Sequence, residues 1–318
     1  MKKVLIIKKI HESGIKLLDR RKDFCYEVVE NLETSFLKKK LQNCEAVSLR
    51  TTKFDTNLIN AANKLKIISR HGVGFDNIDL DSVKKKKIIL SITANANSTT
   101  VAEHVFFMML SISRGIGTYD NNVKEGKFLN RMNLELSKEL WNKNILIIGF
   151  GRVGKNLIKK CIGFDMNIFV YDPYVDEKII ASFGGKKVNN FSEIIKDADY
   201  VSLHVPKTEK TKNLINIKIL SSMKRNSIIV NTSRGGIINE IDLNEALNKD
   251  MIFGAGLDVF EEEPPNPENP LLKNKKVLLS PHSATFTKEC NERMSKETIQ
   301  NIIDFFENKL DKSKIVNL

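Results

Sequence analysis

The stretch that most constrains the fold is residues 144–160, NILIIGFGRVGKNLIKK. An apolar run leads straight into Gly149-x-Gly151-x-x-Gly154, and a helix-like pattern follows at once. Glycines at this spacing meet three separate geometric needs. The first permits a tight turn, the second lets backbone approach a pyrophosphate, and the third lets helix and strand pack closely. The helix that starts there presents unpaired N–H groups and a partial positive charge to phosphates. Three such glycines are weak evidence alone, but a strand before and a helix after make them a dinucleotide-binding turn. The next apolar run ends at Asp172, 23 residues beyond Gly149. A carboxylate there accepts hydrogen bonds from a ribose 2′-hydroxyl and repels a 2′-phosphate, so NAD is expected over NADP. Asp172 also precedes Pro173 and can cap that turn; the two roles are compatible.

Such a turn opens a domain, yet here it lies near the middle of a 318-residue chain. That length fits two domains, each with its own core. Before the turn, strand-like runs at 4–7, 26–29, 46–49, 67–69 and 88–92 alternate with helical segments such as SGIKLLDRR and DTNLINAANKLK. After it come runs at 145–148, 167–171, 200–203, 227–231, 254–259 and 277–279, six strands in all, enough for a full dinucleotide-binding sheet. This alternation builds parallel sheets covered on both faces, so an α/β fold with two parallel-sheet domains is expected. The long pattern NANSTTVAEHVFFMMLSISRGI reads as a bridging helix, and KECNERMSKETIQNIIDFFENK as a helix packing back on the first domain. The expected division is 1–98 with 288–318 for substrate, and 99–287 for NAD.

The net charge of +12 raises the question of nucleic acid. Lysine is spread along the chain, however, and the dense run 84–87 precedes an apolar strand as a solvated turn does, with no stacking aromatics interleaved. A positive field equally suits small carboxylated or phosphorylated substrates. No nucleic-acid partner is expected. No apolar run is long enough to span a bilayer, and the run at 4–7 stops at Lys8, short of a signal sequence. The four cysteines form no CxxC pair, and none of the five histidines pairs with another at ligand spacing. Reduced thiols, no metal and a cytoplasmic location are the expectation.

Polar groups follow three further strand candidates, in IIVNTSRGG, GLDVFEEEPP and VLLSPHSA. The carboxyl ends of parallel strands are where open α/β sheets bind ligands, so an Arg, a Glu and a His can converge there. With RHGVGFDNID, GFGRVG, YDP and HVPKTEKTKNLIN in the same order, these stretches make nearly the whole chain resemble the D-isomer-specific 2-hydroxyacid dehydrogenases. Within that family LRTTKF, RHGVGFDNIDL and NANSTTVAEH look most like the phosphoglycerate dehydrogenases.

The resemblance implies a Rossmann domain inserted in a flavodoxin-like substrate domain. It implies closure on hinges near 98 and 287, and a homodimer through the NAD-binding domain with residues 98–114 at the interface. It assigns Arg234 to the substrate carboxylate and keto oxygen, His282 to general acid/base work, and Glu263, selected among three consecutive glutamates, to His282. Arg152 and Val153 would meet the cofactor's pyrophosphate, Asp258 and Ala284 would lie at the nicotinamide end, and His204, Val205, Pro206, Thr232 and Ser233 would lie along the cofactor. Val73, Gly74 and Asn97 would hold substrate, and Arg50 and Arg70 its phosphate. The implied reaction is hydride exchange between NAD(H) and a 2-hydroxy or 2-keto acid, with 3-phosphoglycerate preferred over glyoxylate, hydroxypyruvate, D-lactate and sulfolactate. Formate is disfavoured because that branch carries Gln where this chain has Glu263. An NAD-sensing corepressor-like binding protein is the alternative of another class. One departure stands out: the run His282-Ser283-Ala284-Thr285-Phe286 lacks the Gly that phosphoglycerate enzymes carry soon after the histidine. The chain stops soon after its last helical pattern, so no serine-binding regulatory domain is expected. His104, inside a helical apolar stretch, reads as packing.

Overall fold

The computed structural model describes residues 1–318. The chain divides into two compact units, Met1–Asn97 with Phe286–Leu318, and Ser98–Thr285.

The first unit holds strands β1 (Lys2–Ile7), β2 (Phe24–Val29), β3 (Ala46–Leu49), β4 (Ile67–Arg70) and β5 (Ile89–Ile92), in the order β2-β1-β3-β4-β5. All pairs are parallel. β3 is buried along its whole length, as a strand covered on both faces must be. The strand order reverses between β1 and β3, the switch point where open α/β sheets bind ligands. The helix Lys288–Phe306 sets Ile299, Ile302 and Ile303 against Val4 and Ile6 of β1. Ser69 Oγ donates to the Thr298 carbonyl at 2.8 Å. The C-terminal segment thus completes the first core.

The second unit holds β6 (Asn144–Ile148), β7 (Asn167–Tyr171), β8 (Lys186–Lys187), β9 (Tyr200–Leu203), β10 (Ile228–Asn231), β11 (Gly254–Leu257) and β12 (Val277–Leu279). Their order is β12-β11-β10-β9-β6-β7-β8, all parallel, with the reversal between β6 and β9. Successive residues feed opposite faces: Ile145 and Ile147 enter one core, Leu146 and Ile148 the other. Seven strands stand where six were expected. The addition, β8, is a two-residue edge strand of lysines with no apolar run to announce it.

The helix Ser98–Arg114 turns its apolar side into this unit, with nine of its seventeen residues buried. Glycines on β11 make the approach possible. A Cβ on Gly254 would lie 2.8 Å from Ile112 Cγ2, and one on Gly256 would lie 3.0 Å from Met108 Sδ. The large apolar side chain that this helix leaves exposed is Phe107, at 53%. Large apolar side chains are exposed further on, between residues 116 and 141: Leu129 at 86%, Met132 at 83%, Leu136 at 88% and Trp141 at 60%. No helix is long and apolar enough to cross a membrane.

Candidate active site

The glycine-rich turn leaves β6 at the switch point of the second sheet. Gly149 has φ +98°, open to glycine at little strain, and a Cβ there would lie 2.5 Å from the His204 carbonyl oxygen. A Cβ on Gly154 would meet the Gly149 carbonyl at 2.5 Å, so the helix presses directly on the turn. Around Gly151 nothing lies within 4 Å of a Cβ. Gly151 caps the helix Arg152–Ile162, whose N-terminus has no side-chain cap. Arg152 is exposed beside this opening, and Val153 leans on the core.

Asp172 follows β7 and ties the turn together. Its Oδ2 accepts from the Phe150 N–H at 2.8 Å and its Oδ1 from the Tyr174 N–H at 2.9 Å. Each carboxylate oxygen has a second lone pair, so a ribose hydroxyl can still be bound. His204 donates its N–H to the Ile148 carbonyl at 2.7 Å, and its Nε2 lies 2.8 Å from Ser202 Oγ. Burial pushes His204 down to about 4, which keeps the imidazole neutral. Val205 packs on the core, and the Pro206 carbonyl accepts from Thr211 Oγ1 at 2.6 Å.

Past β10, Ser233 donates its N–H and its hydroxyl to Asn231 Oδ1, at 3.0 and 2.8 Å. The Thr232 hydroxyl is buried with no hydrogen-bond partner. A buried hydroxyl with unmet capacity at the ligand edge of a sheet suits a polar ligand. With the open side at Gly151 and the uncapped helix, the residues present fit a dinucleotide.

Arg234, Glu263 and His282 come together in this same unit. The segments after β10 and β11 touch: a Cβ on Gly235 would lie 1.6 Å from the Phe260 carbonyl oxygen. Asn231 Nδ2 holds the Arg234 carbonyl at 2.8 Å, and Arg234 Nη1 donates to the Ser233 carbonyl at 2.6 Å. Glu263 Oε1 accepts from the Phe260 N–H at 3.2 Å, and Oε2 lies 2.7 Å from His282 Nδ1. The hydrogen bond to Glu263 raises His282 above an ordinary imidazole, against the opposing effect of burial. Burial pushes the Glu263 carboxyl up, but the hydrogen bond and charge of His282 outweigh it and leave it lowered. The Arg234 charge lowers both groups, so the three share one electrostatic field.

His282 has φ +50°, a left-handed conformation that is strained for a residue with a Cβ. Asp258 imposes it. The Asp258 carbonyl accepts the His282 N–H at 2.8 Å. The buried carboxylate accepts from Ser280 Oγ at 2.5 Å, Ser283 N at 2.7 Å and Ala284 N at 2.9 Å. Asp258, expected at the nicotinamide end, thus also carries the loop that presents His282. Ala284 is buried at the root of that loop.

In the first unit, Arg50 follows β3 and donates Nη1 to the carbonyl of Lys9, which follows β1, at 2.9 Å. The guanidinium therefore spans that sheet's switch point. Arg70 ends β4 and hydrogen-bonds the His71 carbonyl. Burial first, then the charges of Arg50 and Arg70, push His71 down to about 4. Thr93 clamps Gly72 from both sides, through its hydroxyl at 2.9 Å and its N–H at 3.0 Å. That leaves Val73 and Gly74 half-buried in the loop after β4, while Asn97 is half-buried at the end of its segment.

Sequence reasoning missed two participants, His104 and Ser280. His104 Nε2 lies 2.9 Å from Ser280 Oγ and 3.8 Å from Asp258 Oδ1. The two residues are 176 positions apart, and no local pattern joins them.

Comparison with known proteins follows the same lines. The family model described as D-isomer specific 2-hydroxyacid dehydrogenase, NAD binding domain, matches residues 106–284. The D-3-phosphoglycerate dehydrogenase of Methanocaldococcus jannaschii is 38% identical over 293 residues, covering 92% of this chain. The chain spans only 55% of that relative's length. The glyoxylate reductase of Thermococcus litoralis is 36% identical, with 95% of this chain and 93% of that protein covered. Among solved structures, D-lactate dehydrogenase from Aquifex aeolicus, complexed with NAD and lactic acid, superposes with a TM-score of 0.85 at 28% identity, covering 98% of each chain. The chain belongs to the D-isomer-specific 2-hydroxyacid dehydrogenase family.

Proposed function

We propose that this protein is an NAD-dependent dehydrogenase that interconverts a D-2-hydroxy acid and its 2-keto acid, with 3-phosphoglycerate and 3-phosphohydroxypyruvate as the substrate pair. The observation that carries the reaction is the Glu263–His282 pair at 2.7 Å within the field of Arg234. Glu263 accepts the Nδ1 proton, so His282 presents Nε2 to the reacting oxygen. In oxidation, Nε2 takes the hydroxyl proton and Glu263 stabilises the imidazolium; in reduction, the imidazolium returns that proton to the keto oxygen. Arg234 grips the substrate carboxylate with its planar fork and polarises the neighbouring oxygen. The bound nicotinamide supplies the hydride acceptor or donor. Gly149, Gly151, Arg152, Val153, Gly154, Asp172, His204, Val205, Pro206, Thr232 and Ser233 would hold the cofactor, with Asp258 and Ala284 at its reactive end.

Phosphoglycerate is favoured by the cationic edge of the first sheet. Lys8, Lys9, Arg50 and Arg70 all sit at the carboxyl ends of β1, β3 and β4, where a phosphate and a carboxylate would both be attracted. Val73, Gly74 and Asn97 are assigned to the same substrate. NADH absorbance should be followed with 3-phosphohydroxypyruvate, hydroxypyruvate, glyoxylate, pyruvate and sulfopyruvate, beside NADPH and Arg50→Ala. A dominant kcat/KM for the phosphorylated acid that Arg50→Ala removes supports the assignment. An unphosphorylated winner, or no effect of Arg50→Ala, overturns it. NADH binding without turnover across the panel would favour a sensor-like binding protein.

We also infer a homodimer that pairs through the second unit at residues 116–141, because Leu129, Met132, Leu136 and Trp141 are exposed there and large apolar side chains left in water favour a covering partner; a cytoplasmic location is part of the same proposal. Sizing at micromolar concentration should return a dimer and Leu129→Asp a monomer; a monomeric wild-type chain overturns it.

A further inference from the structure

The proposed reaction accounts for His282 and Glu263 but leaves a second histidine at the root of the same loop. The His104 ring is half-buried on the helix Ser98–Arg114. Its Nε2 meets Ser280 Oγ at 2.9 Å. Ser280 Oγ in turn donates its one proton to Asp258 Oδ1 at 2.5 Å, which leaves only lone pairs on the hydroxyl for a second partner. Toward His104 the hydroxyl is therefore an acceptor, and His104 must carry a proton on Nε2. This settles a tautomer and gives the chain a direction: His104 donates to Ser280, and Ser280 donates to Asp258. Asp258 then receives the N–H groups of Ser283 and Ala284 on its carboxylate and that of His282 on its carbonyl.

We infer that His104 is a positioning residue for the proposed acid/base His282, acting through Ser280 and Asp258 to hold the 280–284 loop in its left-handed turn. The inference rests on the reading of His282 given above. The physical argument is one of orientation. The Asp258 side chain has to be held in one rotamer for its two oxygens to meet three donors on one short loop, while its backbone carbonyl takes the fourth. Ser280 supplies one of those donors, and His104 fixes the rotation of that hydroxyl from the far side. Without a donor at this position, Ser280 is free to turn away from Asp258, and the loop loses the constraint that keeps His282 2.7 Å from Glu263. His104 stays neutral at physiological pH because burial lowers it, with the Asp258 charge opposing. Its ring otherwise lies against Phe107 on the same helix.

The test compares His104→Leu with His104→Gln, whose amide N–H reaches where Nε2 stood. Both residues are good helix formers, so helix stability changes little between them. Two readouts are taken on the full chain. One is kcat and its pH profile with the preferred keto acid; the other is the titration midpoint of His282 by NMR with labelled histidine, which needs no turnover. A positioning role predicts about a tenfold fall in kcat for His104→Leu with NADH affinity within about twofold, about one pKa unit being a tenfold change in protonation ratio. It also predicts a His282 midpoint that moves down toward an ordinary imidazole, and His104→Gln restores both. If His104→Leu leaves the midpoint and kcat unchanged, or if Leu and Gln fall together in step with melting temperature, His104 is only packing. If the midpoint moves while the wild type and His282→Ala turn over equally, the positioning stands and the catalytic reading of His282 falls instead.

Discussion

The carbonyl oxygen of Phe260 occupies the place where any side chain on Gly235 would begin, 1.6 Å from an ideal Cβ. This contact lets the segment after β10 run against the segment after β11, and so sets Arg234 beside Glu263. Gly235→Ala has to push one backbone away from the other. Overpacking of this kind destabilises by about 1–3 kcal/mol or more. The expected result is a lower melting temperature together with a loss of kcat/KM larger than the fall in folded fraction explains. A variant with wild-type melting and turnover would show that the two segments can separate freely.

The Glu263–His282 pair sets a pH window. His282 is raised, so its contribution to stability is complete below an ordinary imidazole value of about 6.5 and is lost as pH rises through the raised value. Glu263 is lowered, so its contribution is present above an ordinary carboxyl value of about 4.3 and is lost as pH falls through the lowered value. Oxidation needs neutral His282, so its acid limb should lie above about pH 6.5. Glu263→Gln should move that limb to lower pH and reduce kcat by about a hundredfold. Rate profiles between pH 5 and 9 for both proteins check this; an unmoved limb would remove Glu263 from the mechanism.

His282→Gln deletes the proton carrier while leaving the cofactor residues in place. Turnover in both directions should drop by about 10²–10⁴-fold, with NADH affinity by fluorescence close to wild type. Equal losses in binding and turnover would mean that the 280–284 loop serves the cofactor and not the proton.

Asp172 holds the glycine turn through Phe150 as well as facing the expected ribose. Asp172→Ala should therefore weaken NADH markedly while easing the repulsion of a 2′-phosphate. The ratio of NADPH to NADH affinity is expected to rise by about tenfold or more, since a charge-assisted hydrogen bond contributes about 1.5–3 kcal/mol. Titrating both cofactors gives the ratio directly, and an unchanged ratio would leave Asp172 a turn residue only.

What the sequence determined by itself is local in origin. Strand-like runs such as 145–148 and 167–171 were legible because a buried parallel strand needs a short apolar run wherever it occurs. The turn at Gly149–Gly154 was legible because its backbone conformation and close contacts admit only glycine at particular positions. An Arg, a Glu and a His stood out because each follows a strand, and all parallel strands deliver their carboxyl ends to one edge; the family resemblance then selected Glu263 among three glutamates and gave Arg234, Glu263 and His282 their roles. The tertiary structure alone decided the rest. β8 exists because β7 offers it an edge, not because Lys186 and Lys187 favour a strand. The helix Ser98–Arg114 faces inward because Gly254 and Gly256 clear space for it on a strand more than a hundred residues later. Asp258 and His104 meet at the His282 loop through contacts between distant segments. Periodicity reports which face of an element is apolar; it carries no information about which distant side chain will stand opposite a given polar atom once the layers close.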